Sequence, residues 1–511
     1  MVVIDRSFGG VAEHLLATGR DDDIAFVSGE TEHSYRRLRH DVATLATALV
    51  DSGMQRGSPV AVIAPNGAFW AAGYLAAMLA GLVAVPIPTV LTSAEVCKRM
   101  RWAGIKTAVA GARAAAGLRA VAGDDINLLT QDVLQGHQTS WDERPRVDIA
   151  ADDEAAYLFT SGTTGEPRAV RITHRNIRAN TESILGYLDL HRSDRALVVL
   201  PYSYVFGASL LHTHLRAGAT LVDQPSVAFP EMTVRLLETA RCTVFAGVPS
   251  NFHVLLRNSS FGRTALPDLR IVQQAGGRLP PALLTELITA HPNARVYVMY
   301  GQTEATARLS ALDPDELLPR LGSIGRGIPG VELRVVNEDG VDVAPGEVGE
   351  VLARGENISP GYLNAPDASA LKMPDGVLHT GDLATVDDEG YIYIVDRAED
   401  FIKSWGYRIA SQEVEAVAME LGGLISAAAV GIPDDLSGES VELLVVARED
   451  AALSEADILA HCRSRLPKYS VPAAVHFGDR LPTNANGKVV KRQVRDLILS
   501  RRAERADADA R

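Results

Sequence analysis

Cysteine is almost absent from this chain. The three cysteines, Cys97, Cys242 and Cys462, are spread over 511 residues, and none belongs to a Cys-x-x-Cys pair or stands near a histidine at metal-ligand spacing. A disulfide framework and a zinc site are therefore both excluded. Excess positive charge is missing too, because 64 acidic residues outnumber 50 basic ones and give a formal charge of −14. This balance argues against general binding to nucleic acid or anionic lipid.

A long uninterrupted apolar segment is also missing. Residues 60–94 contain no Asp, Glu, Lys or Arg, but Pro65-Asn66-Gly67, Pro86 and Pro88 divide them. A strand, a buried helix and a second strand are a better interpretation than a membrane span. The first residues, MVVIDRSFGGVAEHLL, contain acids and lack a basic segment followed by an apolar one. We therefore expect no signal peptide and a cytoplasmic location.

The chain is too long for one hydrophobic core, and its pattern changes along its length. The segments SPVAVIAPN, GAFWAAGYLAAMLAGL and VAVPI read as strand, helix and strand, and this alternation recurs between residues 195 and 250. It is typical of a parallel α/β sheet. After Gly330, short strands separated by Gly and Pro turns predict a β-rich subdomain. From about Lys403 a smaller α/β segment follows, in which Ser454 and Asp457 form a predicted capping box.

Against this background, the segment YLFTSGTTGEPRAV (residues 157–170) is unusual. Eight consecutive residues contain four hydroxyl groups, two glycines and a proline. Gly162 and Gly165 permit backbone conformations closed to other residues and let N–H groups approach an anion, while Arg168 adds a fixed positive charge. The composition suits a polyphosphate. It is not a Walker A loop, because Pro167 stands where that motif needs Gly-Lys-Ser/Thr, and this argues against a P-loop kinase.

Several motifs, in order, resemble those of the adenylate-forming superfamily, which includes acyl- and aryl-CoA synthetases, peptide-synthetase adenylation domains and luciferases. TSGTTGEPRAV is similar to the signature loop of that superfamily, QAGGRLPP to its adenine-side loop, and YGQTEAT to the motif that closes over the phosphates. HTGDLATVDDEGYIYIVDRAEDFIKSWGYRI is similar to its ribose-binding and hinge region, and LPTNANGKVVKR to its C-terminal lysine loop. The resemblance covers residues 10 to 495 approximately.

The resemblance implies an α/β fold with two domains. The expected N-terminal adenylation core, residues 1–396, consists of stacked α/β sheets and a β-rich subdomain at about 330–396. A hinge at residues 397–402, with Glu399 at its centre, is expected to connect this core to a small mobile α+β lid domain, residues 403–511.

The implied reaction joins a carboxylate to ATP, which gives an acyl-adenylate and pyrophosphate, and a thiol then displaces AMP. Catalysis of such a step depends on positioning the reactants and neutralising their charge, since an anionic carboxylate approaches a negatively charged triphosphate. The implied catalytic residues are Lys488, Glu304, Thr303 and Arg408. Lys488 is one of only seven lysines and would bridge the carboxylate and the α-phosphate. Glu304 would bind Mg²⁺, which prefers carboxylate oxygen.

Binding of ATP is assigned by the same resemblance. Tyr300 would stack on adenine, and Asp382 would accept both ribose hydroxyl groups with help from Arg397. The full set of expected ATP-binding residues is Thr160, Ser161, Gly162, Thr163, Thr164, Gly165, Arg168, Gly276, Gly277, Tyr300, Gln302, Asp382 and Arg397. Several positions depart from the superfamily pattern. Arg168 and Ala169 stand where Lys-Gly is usual, and Asp396 replaces the glycine before Arg397. Glu399 replaces the common Asp or Lys, and Tyr204 stands where many acyl-CoA synthetases carry His.

The sequence leaves the acid and the thiol open. Tyr204, Phe206, Phe252 and Gln274 are the predicted wall of the acid pocket, and an aromatic, partly apolar wall suits a fatty or aryl acid. The same residues are also consistent with an ordinary core. CoA and the phosphopantetheine arm of an acyl carrier protein present the same reactive group, so the motifs do not separate a CoA ligase from a carrier-loading ligase. A phosphate-binding regulatory protein would need neither Lys488 nor Glu304.

Overall fold

The computed structural model describes residues 10–136, 138–160, 167–224, 227–397, 400–434, 436–448, 450–483 and 489–509, without the side chains of residue 408 and residues 503–509. Within these residues the chain divides into two compact units. The first unit contains the residues up to Leu333 together with Ala353–His379. The second contains Arg334–Leu352 and the residues from Thr380 onward.

The helices and strands are numbered in the order in which they occur along the chain. The α-helices are α1 (Val11–Leu15), α2 (Tyr35–Asp51), α3 (Ala68–Leu79), α4 (Ser93–Trp102), α5 (Ala112–Ala122), α6 (His174–Leu188), α7 (Val205–Ala217), α8 (Pro230–Thr239), α9 (Pro249–Asn258), α10 (Pro281–Ala290), α11 (Pro366–Lys372), α12 (Ser411–Met419), α13 (Glu455–Arg465) and α14 (Lys491–Asp509). The strands are β1 (Ile24–Ser28), β2 (Thr31–Ser34), β3 (Pro59–Ile63), β4 (Val83–Pro86), β5 (Thr107–Ala110), β6 (Asn127–Leu129), β7 (Glu154–Thr160), β8 (Arg168–Thr173), β9 (Arg195–Val198), β10 (Thr220–Asp223), β11 (Val244–Gly247), β12 (Ile271–Gln274), β13 (Arg295–Tyr300), β14 (Ser310–Leu312), β15 (Arg326–Gly327), β16 (Val331–Val336), β17 (Gly349–Gly355), β18 (Gly361–Tyr362), β19 (Leu378–Val386), β20 (Ile392–Arg397), β21 (Ile402–Ser404), β22 (Tyr407–Ile409), β23 (Leu424–Asp434), β24 (Gly438–Ala447) and β25 (Ala474–Phe477).

Two sheets organise the first unit. The larger has the strand order β15-β14-β13-β12-β11-β9-β10-β1-β2, and the smaller has the order β18-β8-β7-β4-β3-β5-β6. Strands β9 to β13 pair in parallel with one another in the larger sheet, and β3, β4, β5 and β7 do so in the smaller one. The predicted parallel α/β core is confirmed.

The apolar segment at residues 60–94 forms part of this core. Strands β3 and β4 are parallel neighbours, and helix α3 connects them. Eleven of the twelve residues of α3 are buried, which explains why the segment carries no charge. None of the helices in the described part of the chain is long and apolar enough to cross a membrane.

The second unit has two further sheets. One has the strand order β16-β17-β19-β20, and the other has the order β22-β21-β24-β23, with β25 paired to β24. Helices α12 and α13 cover the second of these sheets with Val414, Ile458 and Cys462, all buried. The Ser454 hydroxyl accepts from the Asp457 amide, so the predicted capping box is present. The expected combination of a large α/β N-terminal part and a smaller α+β C-terminal part is confirmed.

Candidate active site

Four neighbouring parallel strands of the larger sheet, β9, β11, β12 and β13, end at the same edge. The segments that follow them contain many of the predicted site residues: Tyr204 and Phe206 after β9, Phe252 after β11, Gly276 and Gly277 after β12, and Gln302, Thr303 and Glu304 after β13. The carboxyl edge of a parallel sheet is where α/β proteins bind ligands, because the loops there converge. The sheet therefore brings the predicted adenine and acid positions together.

Glu304 stands on a tightly folded turn after β13. Thr303–Ala305 form a 3-10 turn, and the next two residues, Thr306 and Ala307, have φ values of 58° and 126°. A Cβ atom at Gly301 would lie 1.8 Å from the carbonyl oxygen of Ala307. Only glycine permits this backbone approach, so Gly301 is required for the turn that carries Glu304.

A distant segment, residues 357–361, braces this turn. The Ser359 amide donates to the Glu304 carbonyl at 2.8 Å, and the Thr306 hydroxyl donates to the Asn357 carbonyl at 2.7 Å. The buried Asn357 amide donates to the carbonyl of Ala305 at 3.2 Å. Because backbone at positive φ in non-glycine residues is strained, these hydrogen bonds are what keep the turn in place.

The Glu304 side chain is connected to the signature loop through Tyr362. The Tyr362 hydroxyl donates to Glu304 Oε1 at 2.7 Å, and the Arg168 guanidinium lies 5.0 Å from the centre of the Tyr362 ring. Burial and the adjacent Glu304 carboxylate raise the pKa of the Tyr362 hydroxyl, which stays a proton donor. The first unit therefore places the Glu304 carboxylate at the Tyr362 hydroxyl and the Arg168 charge near the ring of the same tyrosine.

The signature loop connects β7 and β8, an antiparallel pair in the smaller sheet. Thr160 and Arg168 are directly opposite each other in this pair, so they are the two flanks of the loop. On its other side, β8 pairs with β18, which contains Tyr362. This pairing is the reason that Arg168 reaches the Tyr362 ring.

Two of the predicted acid-pocket residues lie close to the adenine-side loop. A Cβ atom at Gly276 would lie 3.3 Å from the Tyr204 hydroxyl oxygen, and the Gln274 amide donates to the Gly277 carbonyl at 2.7 Å. Phe252 instead packs edge-on against Phe245 with ring centres 5.7 Å apart, within an aromatic part of the core.

Asp382 and Arg397 are cross-strand partners in the second unit. They face each other in the pair β19–β20, with Arg397 Nε 3.4 Å from Asp382 Oδ1. Asp382 is buried, and its amide donates to the Thr380 hydroxyl at 3.1 Å. The predicted ribose-binding pair is therefore assembled by a β-hairpin whose register shifts by one residue between Leu383 and Ala384.

The neighbouring Asp396 binds the N-terminus of a helix. Its carboxylate accepts hydrogen bonds from the hydroxyl of Ser411 and from the amide groups of Ser411 and Gln412, at 2.6 and 3.4 Å for the two amides. These residues begin α12, where backbone N–H groups lack partners within the helix and favour a negative charge. This cap accounts for an aspartate where glycine is usual in the superfamily.

Comparison with known families identifies the chain. The model described as AMP-binding enzyme matches residues 15–363, and the model described as AMP-binding enzyme C-terminal domain matches residues 413–488. The chain belongs to the AMP-binding enzyme family. The predicted adenylate-forming superfamily and the predicted enzyme class, an AMP-forming acyl-CoA ligase, are thereby confirmed.

Relatives of this AMP-binding enzyme match almost the whole chain. Feruloyl-CoA synthase of an Amycolatopsis species is 31% identical over 470 residues, which are 91% of this chain and 94% of that protein. The long-chain-fatty-acid–CoA ligase FadD13 of Mycobacterium tuberculosis is 29% identical and covers 92% of this chain and 94% of that protein. ATP-bound MatB from Rhodopseudomonas palustris has a TM-score of 0.87 at 27% identity, covering 96% of this chain and 98% of that chain.

Some predicted residues of the AMP-binding enzyme lie outside the described residues. They are Ser161, Gly162, Thr163, Thr164 and Gly165 of the signature loop, Glu399 of the hinge and Lys488, together with the side chain of Arg408. Their roles stay predictions.

Two residues of the first unit were missed by sequence reasoning. Tyr362 belongs to the short segment "GYLN", in which nothing marks a contact with Glu304. Arg308 lies within "ATARLSAL", four residues after Glu304, and is 2% exposed. The sequence did offer one signal for Arg308: it is a single charge in an apolar stretch that follows a strand.

Proposed function

We propose that this enzyme activates a fatty or aryl carboxylic acid with ATP and Mg²⁺ and transfers the acyl group to CoA. In the first half-reaction a carboxylate oxygen attacks the α-phosphorus of ATP, and pyrophosphate leaves. In the second the CoA sulfur attacks the acyl carbon, and AMP leaves with the electron pair of the broken C–O bond. Two relatives, feruloyl-CoA synthase and a long-chain-fatty-acid–CoA ligase, support these acid classes and support CoA as the acceptor.

The observation that carries the proposal is the contact series Arg168–Tyr362–Glu304. It ties a cation at the flank of the signature loop to the carboxylate of the YGQTEAT motif within one compact unit. A polyphosphate needs both a positive flank and a ligand for its divalent ion, and this arrangement supplies the two together.

The surroundings of Glu304 fit Mg²⁺. Tyr362 donates to Oε1, while Oε2 has no hydrogen-bond donor among the described residues. A carboxylate oxygen of this kind suits a small hard cation, which would neutralise phosphate charge when bound. Tyr362 would orient the ligand, as a hydrogen-bond donor behind a metal-binding carboxylate does.

Further roles belong to the same proposal. Tyr300, Gln302, Gly276 and Gly277 would bind the adenine, and the loop residues Thr160 to Gly165 would bind the β- and γ-phosphates. Asp382 and Arg397 would bind the ribose, Thr303 the α-phosphate, and Lys488 the reacting carboxylate and α-phosphate. Arg408 would lie on the phosphate side, and residues 397–402 around Glu399 would act as the hinge.

Pyrophosphate exchange tests the first half-reaction. Purified enzyme, Mg²⁺, ATP and labelled pyrophosphate are incubated with a panel of fatty and aryl acids, and we expect acid-dependent return of label to ATP. No exchange with any acid would contradict the proposed function.

The acceptor is then tested on the adenylated enzyme, with CoA compared against a pantetheinylated carrier protein. Faster thioester formation on the carrier would favour the second candidate, a carrier-loading ligase. A cytoplasmic location stays a prediction.

A further inference from the structure

Arg308 is a fully buried arginine on the catalytic side of the first unit. Its carbonyl accepts from the side-chain amides of Asn180 and Asn357, both at 2.9 Å, so its backbone is fixed from two directions. Its side-chain nitrogens Nε and Nη2 are buried and have no hydrogen-bond partner among the described residues. The donors on these two nitrogens of a permanently charged group are therefore left without acceptors, while the Tyr187 hydroxyl is a hydrogen-bond partner of the guanidinium.

No carboxylate of the described residues compensates this charge. Ion pairs in the described part of the chain involve many other arginines, such as Arg270 with the buried Asp194, but none involves Arg308. The guanidinium lies 4.7 Å from the centre of the Phe206 ring, and burial lowers the pKa of Arg308 while the Tyr187 and Tyr204 hydroxyls act in the opposite direction. Aromatic contacts stabilise a cation by much less than full burial destabilises it.

The position of Arg308 connects it with the acid pocket. Phe206 and Tyr204 belong to the predicted pocket wall, and the Tyr204 hydroxyl lies beside Gly276 of the adenine-side loop. A second polar atom of this wall, Gln274 Oε1, is also buried without a donor among the described residues. A pocket for a plain hydrocarbon chain would contain neither of these groups, because each unpaired polar atom destabilises the complex.

We propose that the acid activated by this enzyme carries a second carboxylate, which binds the Arg308 guanidinium. The substrate class is thus a dicarboxylic acid with an aliphatic or aromatic spacer. The inference rests on the proposed function and specifies its substrate. Arginine suits this task because its planar donors match the two oxygens of a carboxylate. Four residues of chain span at most about 14 Å, so Arg308 is within that distance of Glu304 between Cα atoms.

The test uses pairs of acids that differ only in a terminal carboxylate against a methyl group: succinic and butyric, adipic and hexanoic, terephthalic and 4-methylbenzoic acid. Pyrophosphate exchange gives kcat/KM for each acid. We expect the wild-type enzyme to prefer the diacid of at least one pair at least tenfold. In Arg308→Met, kcat/KM for that diacid should fall about a hundredfold, while the methyl partner should react equally well or better. For that diacid, kcat/KM of Arg308→Lys should lie between the values of the wild-type enzyme and of Arg308→Met.

A second measurement keeps the test independent of the folding of Arg308→Met. The preferred diacid should raise the thermal unfolding midpoint of the wild-type enzyme, and its methyl partner should raise it less. The matched control is Arg257→Met, which removes a partly exposed arginine paired with Glu286 at 2.6 Å and should leave the diacid preference unchanged.

Failure of this inference differs from failure of the proposed function. If monocarboxylic acids support exchange and no diacid is preferred, the function stands and the inference is wrong. If Arg308→Met lowers kcat/KM equally for both members of every pair, Arg308 serves the reacting carboxylate, the phosphates or the fold, and the inference is again wrong. If no acid of any kind supports exchange, the proposed function itself fails.

Discussion

Glu304 in the first unit and Asp382 in the second are the two carboxylates proposed to serve the nucleotide, and they are held in different ways. Asp382 lies in a β-hairpin directly opposite Arg397, so backbone strand pairing, with a one-residue register shift between Leu383 and Ala384, brings the two charges together. Glu304 lies on an irregular turn with two residues at positive φ, and it depends on Tyr362 and on residues 357–361 for its position.

The difference indicates which substitutions should disturb the position of each carboxylate. A hairpin tolerates many substitutions, because its geometry comes from backbone hydrogen bonds that most residues can make. The Glu304 turn depends on particular side chains that are more than fifty positions away in the chain. We therefore expect function in the first unit to respond to substitutions far from the motif, and function in the second unit to respond mainly to the motif residues themselves.

Substitution of Lys488 in the second unit should have the largest effect. In Lys488→Ala, pyrophosphate exchange should fall by about 10²- to 10³-fold, because a charge that stabilises the transition state is lost. Thioester formation from preformed acyl-adenylate should stay near the wild-type rate, measured by single-turnover kinetics. Lys468→Ala, at an exposed lysine of the same unit, is the control. Equal losses in both half-reactions would contradict the role.

The next largest effect concerns the remote support of Glu304. Tyr362→Phe removes the hydroxyl that binds Glu304 and keeps the ring under Arg168. The Mg²⁺ concentration for half-maximal pyrophosphate exchange should rise about 10- to 100-fold, as when the partner of a metal ligand is removed. Exchange should recover at high Mg²⁺. Tyr393→Phe, which removes a hydroxyl bound to Asp387 in the second unit, should leave the Mg²⁺ requirement unchanged. An unaltered requirement in Tyr362→Phe would show that the hydroxyl only stabilises the fold.

The cap on α12 gives a smaller effect, confined to the second unit. Asp396→Ala leaves the Ser411 and Gln412 amides without their acceptor, and we expect a loss of about 2 kcal/mol in unfolding free energy. Asp457→Ala removes the exposed acceptor of the Ser454 amide in the capping box of α13 and should lose about 0.5–1 kcal/mol. Thermal unfolding of the two variants provides the comparison. A larger loss for Asp457→Ala would refute the importance given to the buried cap.

The smallest effect is a pH response that belongs to the first unit. Burial raises the pKa of Asp223 from 3.8 to about 6, although the Ser28 and Tyr202 hydroxyls donate to it. The folded state therefore binds a proton that the unfolded state does not bind between pH 6 and pH 3.8, so stability rises as the pH falls. Between pH 7 and pH 5 the gain should be about 1 kcal/mol. In Asp223→Asn this part of the pH dependence should disappear from the unfolding midpoint, and its persistence would assign the effect to another group.

Much of the architecture was predictable from local patterns. The β3–α3–β4 unit followed from an uncharged segment broken by prolines, and the cap at Ser454 followed from a hydroxyl side chain that accepts from the amide three residues onward. The pairing of Asp382 with Arg397 does not follow from the two strands alone, because the register shifts by one residue between Leu383 and Ala384. Without that shift, Asp382 would face Asp396.

The support of Glu304 and the environment of Arg308 were not predictable in this way. Both depend on contacts between residues far apart in sequence: Tyr362 with Glu304, and Arg308 with Phe206. Such contacts follow from the order of strands in the sheets, which periodicity does not specify. The sequence shows that Asp396 departs from the superfamily pattern, but it does not show why an aspartate stands there. The reason is the contact between β20 and the start of α12, where Asp396 accepts from the Ser411 amide.

If residues 397–402 act as the proposed hinge, the Asp396 cap has a consequence for its movement. Asp396 precedes the predicted pivot at residues 397–402, while Ser411 and Gln412 follow it, so the cap joins the two arms of that pivot. Swinging the arms apart would rupture several buried hydrogen bonds in every cycle and re-form them afterwards. The cap would then favour the state in which the arms are joined.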